Sequence, residues 1–316
     1  MNTTTLQQSK PRHPQLDARD QVHPHVLELH EARCRDLQVA GGKGSGLASL
    51  HAMGFPVPPG FVVSSSAYDE FLRPAHAAIT ELIRNRSLDD PGAVADLSVR
   101  VRDRLQDLDL PVHLGVALRE TPGACSSDHG YAIRSSSTLE DLAGAAFAGM
   151  HETWLNCHGL ATVLEKIKSC YLSLWSEQAI SYRHHKGFRH LESRMAVVVQ
   201  SMVDCEVAGV GFSIHPVTGD LRTMVINANA GLGDTVVNGE HEVDHLEIEK
   251  STGVVSRAVI GRKTSKLVCD ARHGGTREEL VEADRARDAC LTSWQVEQLS
   301  ALLLQVEEAT GFPQDI

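Results

Sequence analysis

The densest chemistry in the chain lies in Gly41-Gly42-Lys43-Gly44-Ser45-Gly46. Four glycines around a lysine leave backbone N–H groups open ahead of a helical pattern carried by Leu47, Leu50 and Met53. A helix start of this kind attracts anions, and the Lys43 ammonium adds a point charge. The spacing is not a P-loop, which needs glycine where Leu37 stands and Ser or Thr where Gly44 stands. The dinucleotide pattern GxGxxG fails as well. The plainer alternative is a tight turn beside a solvated lysine. A second run, Arg134-Ser135-Ser136-Ser137-Thr138, follows the strand-like Tyr131-Ala132-Ile133 and leads into small residues that include Gly144 and Gly149. A guanidinium grips phosphate oxygens in a planar fork. Hydroxyls such as those of Ser135 and Thr138 add donors, and small side chains let a hairpin lie against a polyphosphate. The plainer alternative is a surface loop with an exposed arginine. The third run, from Val197 to Val203, is apolar and ends in Gln200-Ser201-Met202-Val203. Its backbone can meet an adenine edge, or it is simply a buried core strand.

Other combinations fall short. His151-Glu152 lacks the second histidine of HExxH. His184-His185, in a basic stretch, reads as a solvated helix end. Glu240, Glu242 and Asp244 alternate as on an exposed strand face, with Glu247 and Glu249 following. No Ser-His-Asp constellation is supported.

The elements that must position these groups follow from periodicity. Residues 26–72 read as a compact α/β unit, broken after its helix by Gly54-Phe55-Pro56-Val57-Pro58-Pro59-Gly60. Phe61-Val62-Val63 is a short buried strand. Residues 73–129 read as mainly helical. Leu160 to Tyr182 has helical spacing with one buried face. Met195 to Val203, Ala208 to Ile214 and Leu221 to Ala228 are β-rich, as for a sheet in a second lobe. Thr292 to Thr310 is an amphipathic helix with a capping box from Thr292 and Gln295, ended by Gly311 and Pro313.

Bulk properties narrow the class. The 316 residues are 42% hydrophobic and 22% charged, ordinary for a globular protein. The net charge of −11 argues against a nucleic-acid partner. No apolar run reaches the ~18 residues of a membrane span. The polar N-terminus, residues 1–25, reads as a disordered tail with no secretory signal. Seven scattered cysteines without a CxxC pair point to a reduced, cytoplasmic location.

Taken in order, these segments resemble the N-terminal nucleotide-binding domain of the phosphoenolpyruvate synthase and pyruvate phosphate dikinase family, which the rifampin phosphotransferases share. Gly41-Gly42-Lys43-Gly44 with Gly54 to Phe61, Arg134-Ser135-Ser136 through Glu140-Asp141-Leu142 to Phe147-Ala148-Gly149, and Thr153-Trp154-Leu155-Asn156 carry the first half. Val198-Val199-Gln200 with Met202-Val203, Gly209 to Phe212, Pro216-Val217-Thr218-Gly219, Gly231-Leu232-Gly233 and Gly311 to Ile316 carry the second. The resemblance implies an α+β ATP-grasp fold whose two lobes clamp ATP. A first lobe with a helical insert would span 26–190. A second, ending before its final strand, would span 191–316. It implies that Lys43 and Arg134 contact phosphate as catalytic cations, with Ser135, Thr138, Gly144 and Gly149 in the phosphate-covering loop. Gln200, Met202 and Val203 match the hinge that meets adenine. Cofactors would be ATP and Mg²⁺. The family passes phosphoryl from ATP to a histidine on a further domain and then to pyruvate or, in the relatives, rifampin; neither of those domains is in this sequence. The family's glutamate and Gln-x-Arg strand, which hold Mg²⁺, would follow Ile316, so the metal ligands stay unassigned. Asn227 and His215 stand where the family often has carboxylates. A non-catalytic nucleotide-binding role, or the front end of an antibiotic phosphotransferase, is the alternative.

Overall fold

The computed structural model describes residues 25–84, 86–121, 130–139, 152–239 and 241–316. Within them the chain is α+β, built on two open antiparallel sheets. The first contains β1 (Val26–Glu28), β2 (Gly60–Val63), β3 (Tyr131–Ser137), β4 (Thr153–Cys157) and β5 (Met195–Ser201), in the order β1-β2-β5-β3-β4. The second contains β6 (Val207–Phe212), β7 (Thr223–Ala230), β8 (Asp244–Glu249) and β9 (Val255–Val259) in sequence order. A separate hairpin joins β10 (Ser265–Cys269) to β11 (Thr276–Leu280).

Helix α1 (Leu37–Ala52) covers one face of the first sheet. Its Ala40 and Ala48 pack on Val62, Ala196 and Val198. The other face carries α2 (Ser65–Leu72), α3 (His76–Ile83), α4 (Pro91–Gln106), α5 (Val112–Glu120), α6 (Gly159–Ser173) and α7 (Glu177–His185). Tyr68, Leu97, Leu114, Ile167 and Trp175 fill that larger core with Ile133, Val197 and Val199. The helical reading of 73–129 therefore holds wherever those residues are described. The single helix expected from Leu160 to Tyr182 is instead two. The chain breaks after Ser173, and the Ser176 hydroxyl caps α7 by accepting from Ala179 N–H at 3.2 Å.

The run from Met195 corrects a second expectation. Its β-rich composition groups it with the second-lobe strands, but β5 is the centre of the first sheet, hydrogen-bonded to β2 and β3. Every residue from Met195 to Gln200 is buried. An unbroken apolar run needs cover on both faces, and only a central strand between two helical layers supplies it.

In the second unit, α8 (Asp234–Val237) follows β7, and α9 (Ser293–Thr310) packs on Met224, Ile226, Leu246 and Ile248 through Val296 and Leu303. Thr292 and Gln295 form the expected capping box, and Gly311 closes the helix at φ 81°. Gln314 to Ile316 then runs beside β6, with Ser213 N–H donating to Gln314 and Gly211 N–H to Ile316, both at 2.8 Å. Asp244 also departs from its expected exposed place. It is buried, ion-paired with Lys263, and accepts from Gly261 N–H at 3.1 Å and Cys290 N–H at 2.6 Å. No helix among the described residues is long and apolar enough to cross a membrane.

Candidate functional site

The glycine run is not a loop ahead of a helix, as its composition predicts, but part of α1. The helix is kinked at Gly41, whose φ of 69° and ψ of −179° only glycine adopts readily. A Cβ there would lie 2.1 Å from the Ser136 carbonyl oxygen. The kink frees donors and acceptors, and the Ser136 hydroxyl takes them up. It donates to Ala40 C=O at 2.7 Å and accepts from Gly44 N–H at 3.0 Å. Ser136 thus serves as an external cap for the helical turn that bears Lys43.

The register places Arg134 on the same side. Arg134 pairs with Val198 and Ser136 with Ala196, and both partners face α1. Directly opposed residues of an antiparallel ladder share a face. Arg134 and Ser136 therefore stand together on the α1 face, with Gln200 one ladder step beyond, opposite Ala132. Lys43 and Arg134 are both half-buried. The Lys43 charge also reaches the neighbourhood of α6, where it opposes the rise of the Cys170 thiol; burial dominates and holds that thiol well above its ordinary value. So the fold sets the turn that bears Lys43 against the sheet face that carries Arg134, and Ser136 is the tie between their segments. The sequence pattern groups Ser136 with the other hydroxyls and does not disclose this role. The only available signal is its two-residue spacing from Arg134.

The remaining predicted residues divide. The Ser135 hydroxyl donates to Glu152 C=O at 3.3 Å, and that of Thr138 to Arg194 C=O at 3.4 Å while accepting from Arg194 N–H at 3.2 Å. Both hydroxyls thus have main-chain partners. Gly144 and Gly149 lie outside the described residues. Gln200 Nε2 donates to Pro58 C=O at 3.2 Å, and Met202 N–H to Gly130 C=O at 3.1 Å. Val203 is 56% exposed at the start of the link to β6. On the second sheet Asn227 Oδ1 is 2.8 Å from His245 Nδ1, and His245 Nε2 is 3.4 Å from Glu247. The Glu247 carboxyl sits below its ordinary value: burial raises it, but the bonds from Arg257 and His245 and the charges of Arg257 and His215 outweigh that.

No group of three or more His, Cys, Asp or Glu side chains among the described residues could hold a metal ion. The six described cysteines are unpaired, and burial raises every thiol, Cys34 to about 12 and Cys290 to about 11. None is a ready nucleophile.

Comparison with known proteins identifies the family to which this α+β chain belongs. Residues 37–316 match the family model described as the pyruvate phosphate dikinase AMP/ATP-binding domain, and the chain belongs to that family. It is 33% identical over 303 residues to a probable phosphoenolpyruvate synthase of Methanothermobacter thermautotrophicus, covering 94% of this chain and 44% of that one. It is 35% identical to a rifampicin phosphotransferase of Streptomyces sviceus and 30% identical to one of Bacillus subtilis, in each case over 92% of this chain and 34% of the relative. The chain therefore spans less than half the length of these curated relatives.

Proposed function

We propose that this chain is the ATP-binding portion of a phosphotransferase of the phosphoenolpyruvate synthase kind. In this reading ATP lies between two lobes of an ATP-grasp arrangement, 26–190 and 191–316, with β5 contributed to the first. Lys43 and Arg134 bind the phosphates and stabilise charge that develops during transfer. Phosphoryl passes to a histidine on a further domain, in the same chain or another, and then to pyruvate. The observation that carries the reading is the Ser136 tie, which joins the Lys43 turn to the Arg134 strand on one face.

Mg²⁺ would enter with the nucleotide as its companion. It commonly uses one or two protein carboxylates plus substrate phosphates, and no side chain of this chain is assigned as its ligand. When bound, it would neutralise phosphate charge; the chain's own contribution is to hold and orient the nucleotide.

The test is a fluorescence titration with a ribose-labelled ATP analogue in the presence of Mg²⁺. Saturable binding that unlabelled ATP reverses supports the proposal, and the absence of saturable binding contradicts it. The relatives named rifampicin phosphotransferase support a second reading of the acceptor. Incubating the full-length protein with ATP and either pyruvate or rifampin separates the two by which acceptor is consumed.

A further inference from the structure

Asn156, in β4 at the edge of the first sheet, is the only non-glycine residue with positive φ among those described, at 54°. It is 2% exposed. Its Nδ2 donates to two carbonyl oxygens, Asp270 at 3.0 Å and Gly275 at 2.8 Å. Its Oδ1 lies 2.8 Å from His158 Nε2. Both amide protons go to carbonyls, so the ring is the donor and His158 carries a proton on Nε2. The main chain adds a further bond, Gly275 N–H to Asn156 C=O at 3.0 Å.

Asp270 and Gly275 are the two ends of the turn between β10 and β11, so three of these bonds run from the first sheet to the hairpin. The turn is preset to receive them. The Asp270 carboxylate accepts from Arg272 N–H at 2.8 Å and His273 N–H at 3.1 Å, and pairs with His273 Nδ1 at 3.0 Å. Gly274 and Gly275 take φ of 71° and 70°. Midway along β10 the hairpin joins the second unit, where Leu232 N–H donates to Leu267 C=O at 2.8 Å and Gly231 bridges Leu267. Space around the asparagine is closed: a Cβ at Gly130 would sit 2.8 Å from its Oδ1.

The position makes two demands at once. A left-handed backbone favours Gly, Asn or Asp. Two facing carbonyl oxygens need two donors, which glycine lacks and an ionised aspartate lacks. Asparagine alone meets both. The first sheet uses residues up to Ser201 and the second begins at Val207, so the chain passes between them once, through 202–206. We infer that Asn156 is a positioning residue, an inter-sheet latch that provides a second point of attachment and fixes the hairpin of the second unit against the edge of the first. Its release frees the two sheets to move about the 202–206 link. The latch stands on these contacts alone; that it would set how far a nucleotide cleft opens rests on the function proposed above.

The test is hydrogen–deuterium exchange of the full chain without nucleotide, comparing wild type with Asn156→Asp and Asn156→Gly. Glycine tolerates the backbone angle but removes the amide. Aspartate keeps the shape and removes the donors. If the residue serves only to accommodate the strand's local twist, glycine should behave as wild type. The latch requires both variants to speed exchange across 270–275 roughly tenfold or more, with Met195–Ser201 still protected. Unchanged exchange at the turn in Asn156→Asp, or wild-type behaviour in Asn156→Gly, would overturn it. Should both variants also lose protection of Met195–Ser201, Asp270→Ala carries the test, because it removes the acceptor of the Arg272 and His273 N–H bonds and loosens the turn from the hairpin side. Faster exchange at Thr153–Cys157 together with the turn supports the latch; exchange confined to the turn refutes it. A wild-type chain that fails to bind Mg-ATP would end the nucleotide reading and leave this measurement intact.

Discussion

At Gly41 the main chain passes so close to Ser136 that a side chain has no room, and the backbone angles there are essentially restricted to glycine. At Gly46, five residues further along α1, an added methyl would meet nothing within 4 Å. The same substitution should therefore have opposite signs at the two sites. Gly41→Ala should lower unfolding free energy by at least about 2 kcal/mol, while Gly46→Ala should be neutral or raise it by up to about 1 kcal/mol. Urea denaturation of the two variants checks this, and similar effects at both sites would contradict the kink. His190 makes a second residue-scale prediction. Burial, then the charges of Arg183 and His184, hold its imidazole down at about 4. Arg183 Nε–H donates to its Nδ1 at 3.2 Å, which requires that nitrogen to be unprotonated. An unfolded histidine titrates near about 6.5, so between about pH 6.5 and 4 the unfolded chain binds more protons. The associated stability is complete above about pH 6.5 and is lost as pH falls toward about 4. The urea midpoint of His190→Gln should decline less across that window than that of wild type; parallel profiles would show that the imidazole is not held neutral.

Among the elements, α9 has the clearest start and stop. Thr292→Ala removes one half of its capping box and should cost about 1 kcal/mol in urea denaturation; an unchanged midpoint would mean the box contributes nothing. This helix is legible in the sequence because its cap, apolar stripe and terminal glycine are all local. The same holds for the helical character of the described residues between 73 and 121. What escapes the sequence depends on partners far along the chain. The Met195–Ser201 run is recognisably a buried strand, but its place between β2 and β3 is fixed by residues far earlier in the chain. Asp244 resembles its exposed acidic neighbours until Lys263 and Cys290 close around it. At the site, Lys43 and Arg134 are legible as phosphate-binding types from composition and resemblance together. The tie between their segments is not, because it depends on the Ser136 hydroxyl reaching a helix kink 92 and 96 positions away. Asn156 enters the sequence reading only as the last residue of the segment 153–156; its positive φ and its bonds to the hairpin are not legible there, because their partners lie more than a hundred positions away.

Among the described residues, the two larger sheets are joined once by the chain and again by the hydrogen-bonded turn of the β10–β11 hairpin. Under the proposed function, such an arrangement suits a cleft that admits and then holds a charged ligand. The net charge of −11 makes the local cations more telling, because they have to overcome the repulsion of the whole for a polyphosphate. The proposed site rests on Lys43 and Arg134 together holding the phosphates of ATP. Calorimetric titration of Mg-ATP into wild type, Lys43→Ala and Arg134→Ala tests it most directly, with circular dichroism to confirm that each variant is folded. Loss of one charge-assisted phosphate contact should weaken affinity by about 10- to 100-fold in each variant. Wild-type affinity in both folded variants would contradict the site.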